Sequence, residues 1–190
     1  MAGARKKARA EGRSIVFGDE AGFLLTPLAR RTWAPRGQTP VQRCWDRHDR
    51  WSVISAVTLA PRQRRLGLYW DMQAANYTTG PVKAFVEAVQ RRLRRPILLI
   101  WDRLGAHRSA ARQWREEGNG RIAVEWLPAY APELNPAEQV WGHTKWADLA
   151  NDLPADLKEL GGAIDGSLSA LEDEPQRLRS FFKASGLVLE

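Results

Sequence analysis

"PILLIWD", residues 96–102, decides the fold. A run that is apolar at every position from Ile97 to Trp101 has no polar face to give to water, so it reads as a central strand covered on both sides. Open sheets place ligands at the carboxyl ends of such strands. Asp102 stands at that end, and an acid there is costly unless it is paired or bound to a cation.

Working outward, "HRSAARQWREEGNG" (107–120) reads as a helix closed by Gly118 or Gly120, and "RIAVEWLP" (121–128) as another strand. On the amino side, Val82, Phe85, Val86, Val89 and Leu93 recur at helical spacing, with Thr78 or Thr79 as the candidate cap. Before that helix, "RWSVISAVTL" (50–59) and "RRLGLYWDM" (64–72) flank "APRQ" as a hairpin. "SIVFGDEAGF" (14–23) reads as a strand that ends in Asp19 and Glu20 and runs into a turn, and "RTWAPRGQTPV" (31–41) as an irregular or edge strand. The order implies an α/β fold: a mixed sheet with an antiparallel three-strand start, then parallel strands, flanked by helices. From Leu153 onward Leu157, Leu160, Ile164, Leu168 and Leu171 keep a helical period, and "PQRLRSFF" adds a last helix. Residues 1–13 read as a basic extension and 14–190 as one domain, because no linker or internal repeat interrupts them.

Charge points to the partner. Residues 1–115 carry 23 Lys/Arg against 8 Asp/Glu, and residues 116–190 carry 6 against 14. A basic half of that size is the footprint of a polyanion-binding protein, with nucleic acid the leading candidate. Arg30, Arg31, Arg36, Arg91, Arg92, Arg94 and Arg95 are the candidate backbone contacts, although "RRLRR" (91–95) also suits the solvated end of a helix. No run is long and apolar enough for a membrane span or a signal peptide, so no membrane partner is expected. The single cysteine, Cys44, excludes an internal disulfide, fits a reducing cytoplasm and reads as an ordinary packed or half-exposed residue.

The acids carry the chemistry. Asp19 and Glu20 are neighbours, so on a strand they face opposite ways and only one can share a site with Asp102; periodicity does not choose between them. Glu138 lies in "LPAYAPELNPAEQVW" (127–141), where Asn135 suits a helix N-cap and Pro136 the first helical position. A glutamate there can fold back in a capping box. It can also turn outward and join the other acids, with Asn135 capping alone. An all-oxygen carboxylate set suits a hard cation such as Mg²⁺ or Mn²⁺.

"VFGDEAGF", "LLIWDRLGAHRS" and "EWLPAYAPELNPAEQVWGHTK" resemble the three signature blocks of the DDE transposases of the mariner superfamily, in their bacterial insertion-sequence branch. The family's Asp-Glu-Ala/Ser turn matches Asp19, its second aspartate with a following histidine matches Asp102 and His107, and its Pro-x-Leu-Asn-Pro-x-Glu-x-x-Trp run matches Pro132 to Trp141 through Glu138. One departure is Arg103, where the family usually has asparagine. The resemblance implies an RNase H-like fold and a catalytic triad of Asp19, Asp102 and Glu138 holding two Mg²⁺ ions, for which Mn²⁺ would substitute. It implies cleavage at the ends of a mobile element and attack of the freed 3′-hydroxyl on target DNA, by a homodimer in the transposition complex, in the cytoplasm of a bacterium at the nucleoid. His107 and Lys145 are accessory candidates beside Asn135: His107 could orient the site or merely cap a helix, and Lys145 could meet a phosphate or solvent. Because family members carry helix-turn-helix modules ahead of the catalytic domain, an upstream half is expected. Two other readings stay open: a different RNase H-like nuclease, such as a junction resolvase, and a catalytically inactive DNA-binding remnant.

Overall fold

The computed structural model describes residues 2–43, 49–62 and 65–187; Cys44 lies outside them. Five strands form one sheet: β1 Ser14–Leu24, β2 Arg50–Leu59, β3 Leu66–Gln73, β4 Ile97–Trp101 and β5 Ile122–Trp126. Their spatial order is β3-β2-β1-β4-β5. β1, β2 and β3 pair antiparallel, and β4 joins β1 and β5 in parallel. This is the mixed sheet expected from the sequence. Its helices are α1 Ala2–Ala10, α2 Thr79–Leu93, α3 Gly105–Glu116, α4 Pro136–His143, α5 Leu157–Glu172 and α6 Pro175–Ala184.

The centre of the sheet is buried on both faces. One face of β1 and β4 contributes Ile15, Phe17, Leu98 and Ile100 to a core closed by α1, α4, α5 and α6. Val16, Leu99 and Trp101 face the second core, under α2 and α3. The alternation is that of strands covered on two sides, and all five residues of β4 are buried. In the tail, Leu160, Ile164, Leu168 and Leu171 of α5 are buried, as their period requires.

Three local expectations need correction. β1 does not turn after its acids: it runs on to Leu24, because β2 pairs with it along the whole length from Ile15↔Leu59 to Leu24↔Arg50. The pairing with β4 stops earlier, at Phe17↔Ile100, so the acids lie where β1 has lost one neighbour. Residues 31–41 form no strand; Trp33 and Val41 are exposed, and two prolines remove ladder donors there. A single bridge, Leu28↔Ala150, holds the start of this segment. The basic extension is a helix, α1, whose Ala4 and Ala8, one turn apart, are buried while Lys7 reaches Glu125 on β5 at 3.3 Å. Small residues at that spacing carry too little hydrophobicity to announce a core face in a lysine- and arginine-rich run.

Candidate active site

The parallel register sets the site. Phe17↔Ile100 is the last pair between β1 and β4, so Asp19 lies two residues further along β1 and Asp102 directly follows the end of β4. Asp19 continues the face of Ile15 and Phe17 and looks toward α4; Glu20 takes the opposite face, toward α3. Both carboxylates are thus placed by one strand, on two sides of the sheet.

α4 is delivered by the proline-rich connection. Leu127 extends β5, its N–H donating to the Trp101 carbonyl at 2.7 Å, and Pro132–Leu134 form one 3₁₀ turn before Pro136 starts the helix. Asn135 is buried and caps α4 through Oδ1, which accepts from Ala137 N–H at 3.2 Å. Its Nδ2 donates to the Gly18 carbonyl at 3.1 Å. The capping box is not formed, because the Asn135 N–H already donates to the Pro132 carbonyl at 2.9 Å. Glu138 is left to face Asp19, whose carboxyl is pushed up to about 8 by burial, then by the charges of Glu138 and Glu20. Trp141, one turn after Glu138, donates Nε1–H to Asp19 Oδ2 at 3.0 Å and packs edge-on to Phe23.

Lys145 belongs to the same group. A π segment, Thr144–Asp148, follows α4, and Lys145 Nζ lies 4.9 Å from the centroid of the Phe23 ring. Burial lowers its pKa, against the raising influence of the Glu138 and Asp19 charges.

Asp102 is held differently. Its Oδ1 meets Nδ1 of His107 at 2.5 Å and accepts from Leu104 N–H at 3.1 Å. The His107 bond holds its pKa below the usual carboxylate value, against partial burial. His107 is fully buried, stacks on Trp101 with centroids 3.6 Å apart, and turns Nε2 to Glu20 Oε1 at 3.0 Å. Burial alone would lower the imidazole pKa; hydrogen bonds and charges of Asp102 and Glu20 outweigh it and raise the group to about 9. Two carboxylates on one ring require both nitrogens as donors, which is the imidazolium.

The three acids therefore share one end of the sheet in two groups: Asp19 with Glu138, and Asp102 with His107 and Glu20. Among the described residues no three His, Cys, Asp or Glu side chains converge closely enough to form a ready metal site. The donor chemistry fits a hard divalent cation nevertheless. A buried acid stays protonated beside a second acid, Oδ2 of Asp102 is free of the bonds that hold Oδ1, and across the ladder from Asp19 the buried Ser55 Oγ has no partner among the described residues.

The arginines do not gather here. Arg91, Arg92, Arg94 and Arg95 close α2 just before β4 begins, a strand's length of roughly 17 Å from Asp102. Arg91 pairs along its helix with Glu87 at 3.9 Å, and Arg94 is the left-handed C-cap of α2. Arg30 is tied by its amide to Asn151 and by its guanidinium to the Trp146 carbonyl. Arg31 and Arg36 are exposed on the irregular segment, and Arg103 is exposed beside Asp102. Sequence reasoning missed the link of Glu20 to His107 and the bond from Trp141 to Asp19; the spacing of Trp141 from Glu138 is the available signal for the second.

A five-stranded mixed sheet in this order, flanked by helices on both faces, defines an RNase H-like fold. The chain belongs to the DDE superfamily endonuclease family, whose model matches residues 14–161. Its backbone is similar to the Mos1 strand transfer complex (TM-score 0.62, 18% identity, covering 99% of this chain and 61% of that one). It is also similar to the Mos1 mariner paired end complex with Mn (0.60, 16%, 99% and 62%) and the catalytic domain of Mos1 mariner transposase (0.54, 14%, 99% and 93%). The chain spans about three fifths of the Mos1 protein in the first two complexes. Comparison with curated proteins returns no match. No helix among the described residues is long and apolar enough to cross a membrane.

Proposed function

We propose that this chain is the catalytic domain of a transposase, cutting DNA at the ends of a mobile element and joining the freed 3′-hydroxyl to target DNA with divalent metal ions. The observation that carries the reading is that the β1–β4 pairing ends at Phe17↔Ile100, with Asp19 two residues beyond on β1, Asp102 just past the end of β4, and Glu138 turned to Asp19 by a helix that Asn135 caps alone. Family membership supports it, as does the likeness in fold to the Mos1 mariner paired end complexes with Mn and with Mg.

Asp19, Asp102 and Glu138 would hold the cations. Bound divalent ions supply charge neutralisation of the phosphodiester and activation of the attacking oxygen. The chain's own contribution is placement. Trp141 fixes one oxygen of Asp19, Asn135 joins the start of α4 to β1, and Lys145, half-buried beside Asp19 and Glu138, meets a DNA phosphate. Double-stranded DNA enters at the end of the sheet that carries Lys145 and the three acids, two copies assemble on paired ends, and a helix-turn-helix half supplies end recognition; cytoplasmic action at the nucleoid goes with this role.

Incubation with supercoiled plasmid and Mg²⁺ or Mn²⁺, followed by an oligonucleotide carrying a free 3′-hydroxyl, tests both steps. Nicking and joining that D102N and E138Q abolish support the reading. Full activity in either variant contradicts it, and nicking without joining moves the assignment to a hydrolytic nuclease.

A further inference from the structure

Glu20 has no part in the three-acid set, and its face of β1 is the one turned away from Asp19. It is nonetheless 19% exposed in its side chain and directed at a ring with no exposure at all. His107 fills the space between Glu20 and Asp102: Nε2 to Glu20 Oε1 at 3.0 Å, Nδ1 to Asp102 Oδ1 at 2.5 Å, and the ring plane against the indole of Trp101. An imidazole held at both nitrogens and one face has no freedom to rotate, so the oxygen of Asp102 it grips is fixed as well. The Leu104 N–H uses the same oxygen, which leaves Oδ2 outside both of these bonds in a side chain that is 55% exposed.

We propose that Glu20 is a positioning residue for Asp102, acting through His107, so that Oδ2 is presented to a divalent cation in one orientation. The inference rests on Asp102 being a metal ligand. Glu20 takes no ligand position of its own, being on the opposite side of the strand from Asp19. Its effect reaches the site only through the imidazole. Outer-shell partners of this kind alter metal affinity by roughly 10- to 100-fold.

Mn²⁺ titration of the protein, followed by electron paramagnetic resonance, tests this without any DNA substrate, in the wild type and in E20Q, H107Q, E20Q/H107Q and D102N. Nitrogen NMR of the metal-free protein reports the ring separately: both His107 nitrogens protonated in the wild type, and Nε2 changed in E20Q. The expected result is Mn²⁺ affinity about 10-fold weaker in E20Q, with no further loss when E20Q is added to H107Q. E20A, which removes the side chain at an accessible strand position, should repeat the loss if E20Q retains a partial bond. Unchanged affinity in both Glu20 variants, with D102N weakened, overturns the inference and leaves the metal site standing. An equal E20Q loss in the H107Q background also overturns it, since Glu20 would then act directly. D102N without effect removes the metal site itself and the inference with it.

Discussion

Asn135 joins the start of α4 to the strand that carries Asp19, its Nδ2 donating to the Gly18 carbonyl at 3.1 Å while its Oδ1 caps the helix. The residue next to that carbonyl is Asp19, and the residue one turn into that helix is Glu138. One buried amide therefore sets the distance between two acids that come from sequence positions far apart.

N135A should cost about 2–4 kcal/mol of stability, combining a lost cap with a buried carbonyl left unpaired. Urea unfolding of the two proteins measures it. N135D keeps the cap oxygen but sets a carboxylate against the Gly18 carbonyl, so it should remain destabilised; recovery to wild-type stability would show that only the cap matters.

Ser55→Ala should go the other way. Its buried hydroxyl has no partner among the described residues, so removing it in the metal-free protein should change stability by less than about 1 kcal/mol, or raise it. A loss above that in urea unfolding would mean that the hydroxyl is hydrogen-bonded in solution.

The metal-free domain should lose stability as pH rises. Asp19 keeps its proton to about 8 when folded, against 3.8 as its ordinary value, and His107 keeps its own to about 9, against 6.5. In both windows the native state binds more protons than the unfolded chain, so unfolding becomes easier with increasing pH. Asp102 acts oppositely, but only as pH falls below its ordinary value. Calorimetry in EDTA should find the protein weaker at pH 8.5 than at pH 5.5 by on the order of 1–3 kcal/mol, or roughly 3–10 °C. D19N should remove the part of that slope lying below pH 8.

Lys145 and the arginine run of α2 should separate. K145M keeps the apolar stem near Phe23 and removes the charge beside Asp19 and Glu138, so plasmid nicking should slow by about 10-fold or more, a charged contact being worth roughly 1.5–3 kcal/mol. Neutralising Arg91 and Arg92 together should leave the nicking rate at saturating DNA unchanged, because both lie beyond the opposite end of β4. A slower maximal rate in the double variant would place DNA on that end as well.

The strand and helix order could be read from the residues because its signals are periodic: five apolar residues in β4, the spacing of Val82 to Leu93, and the leucines of α5. The hairpin of β2 and β3 was legible for the same reason. The course of β1 past Asp19 was not, since "DEAG" is turn-like by composition and only pairing with β2 overrides it. The helix of residues 2–10 hid because two alanines are its buried contacts. At the site, Asp19, Asp102 and Glu138 are legible through motif resemblance, which also favours Asn135 capping alone with Glu138 turned outward; the Asn135 N–H is paired with the Pro132 carbonyl and Glu138 faces Asp19. Strand alternation leaves Asp19 and Glu20 as equals and motif resemblance selects Asp19, but neither announces the histidine that arrives from α3 to meet Glu20. Charge alone marks the arginines, and charge does not say which end of a sheet a helix terminus occupies.

Crystals of the protein grown or soaked with Mn²⁺, measured at a wavelength where manganese scatters anomalously, test the three-acid site most directly. The account predicts anomalous peaks ligated by Asp19, Asp102 and Glu138, with Oδ2 of Asp102 facing the metal and His107 still between Glu20 and Oδ1. Manganese bound elsewhere, with Asp19 and Glu138 unchanged and Asp102 engaged only by His107, would contradict it.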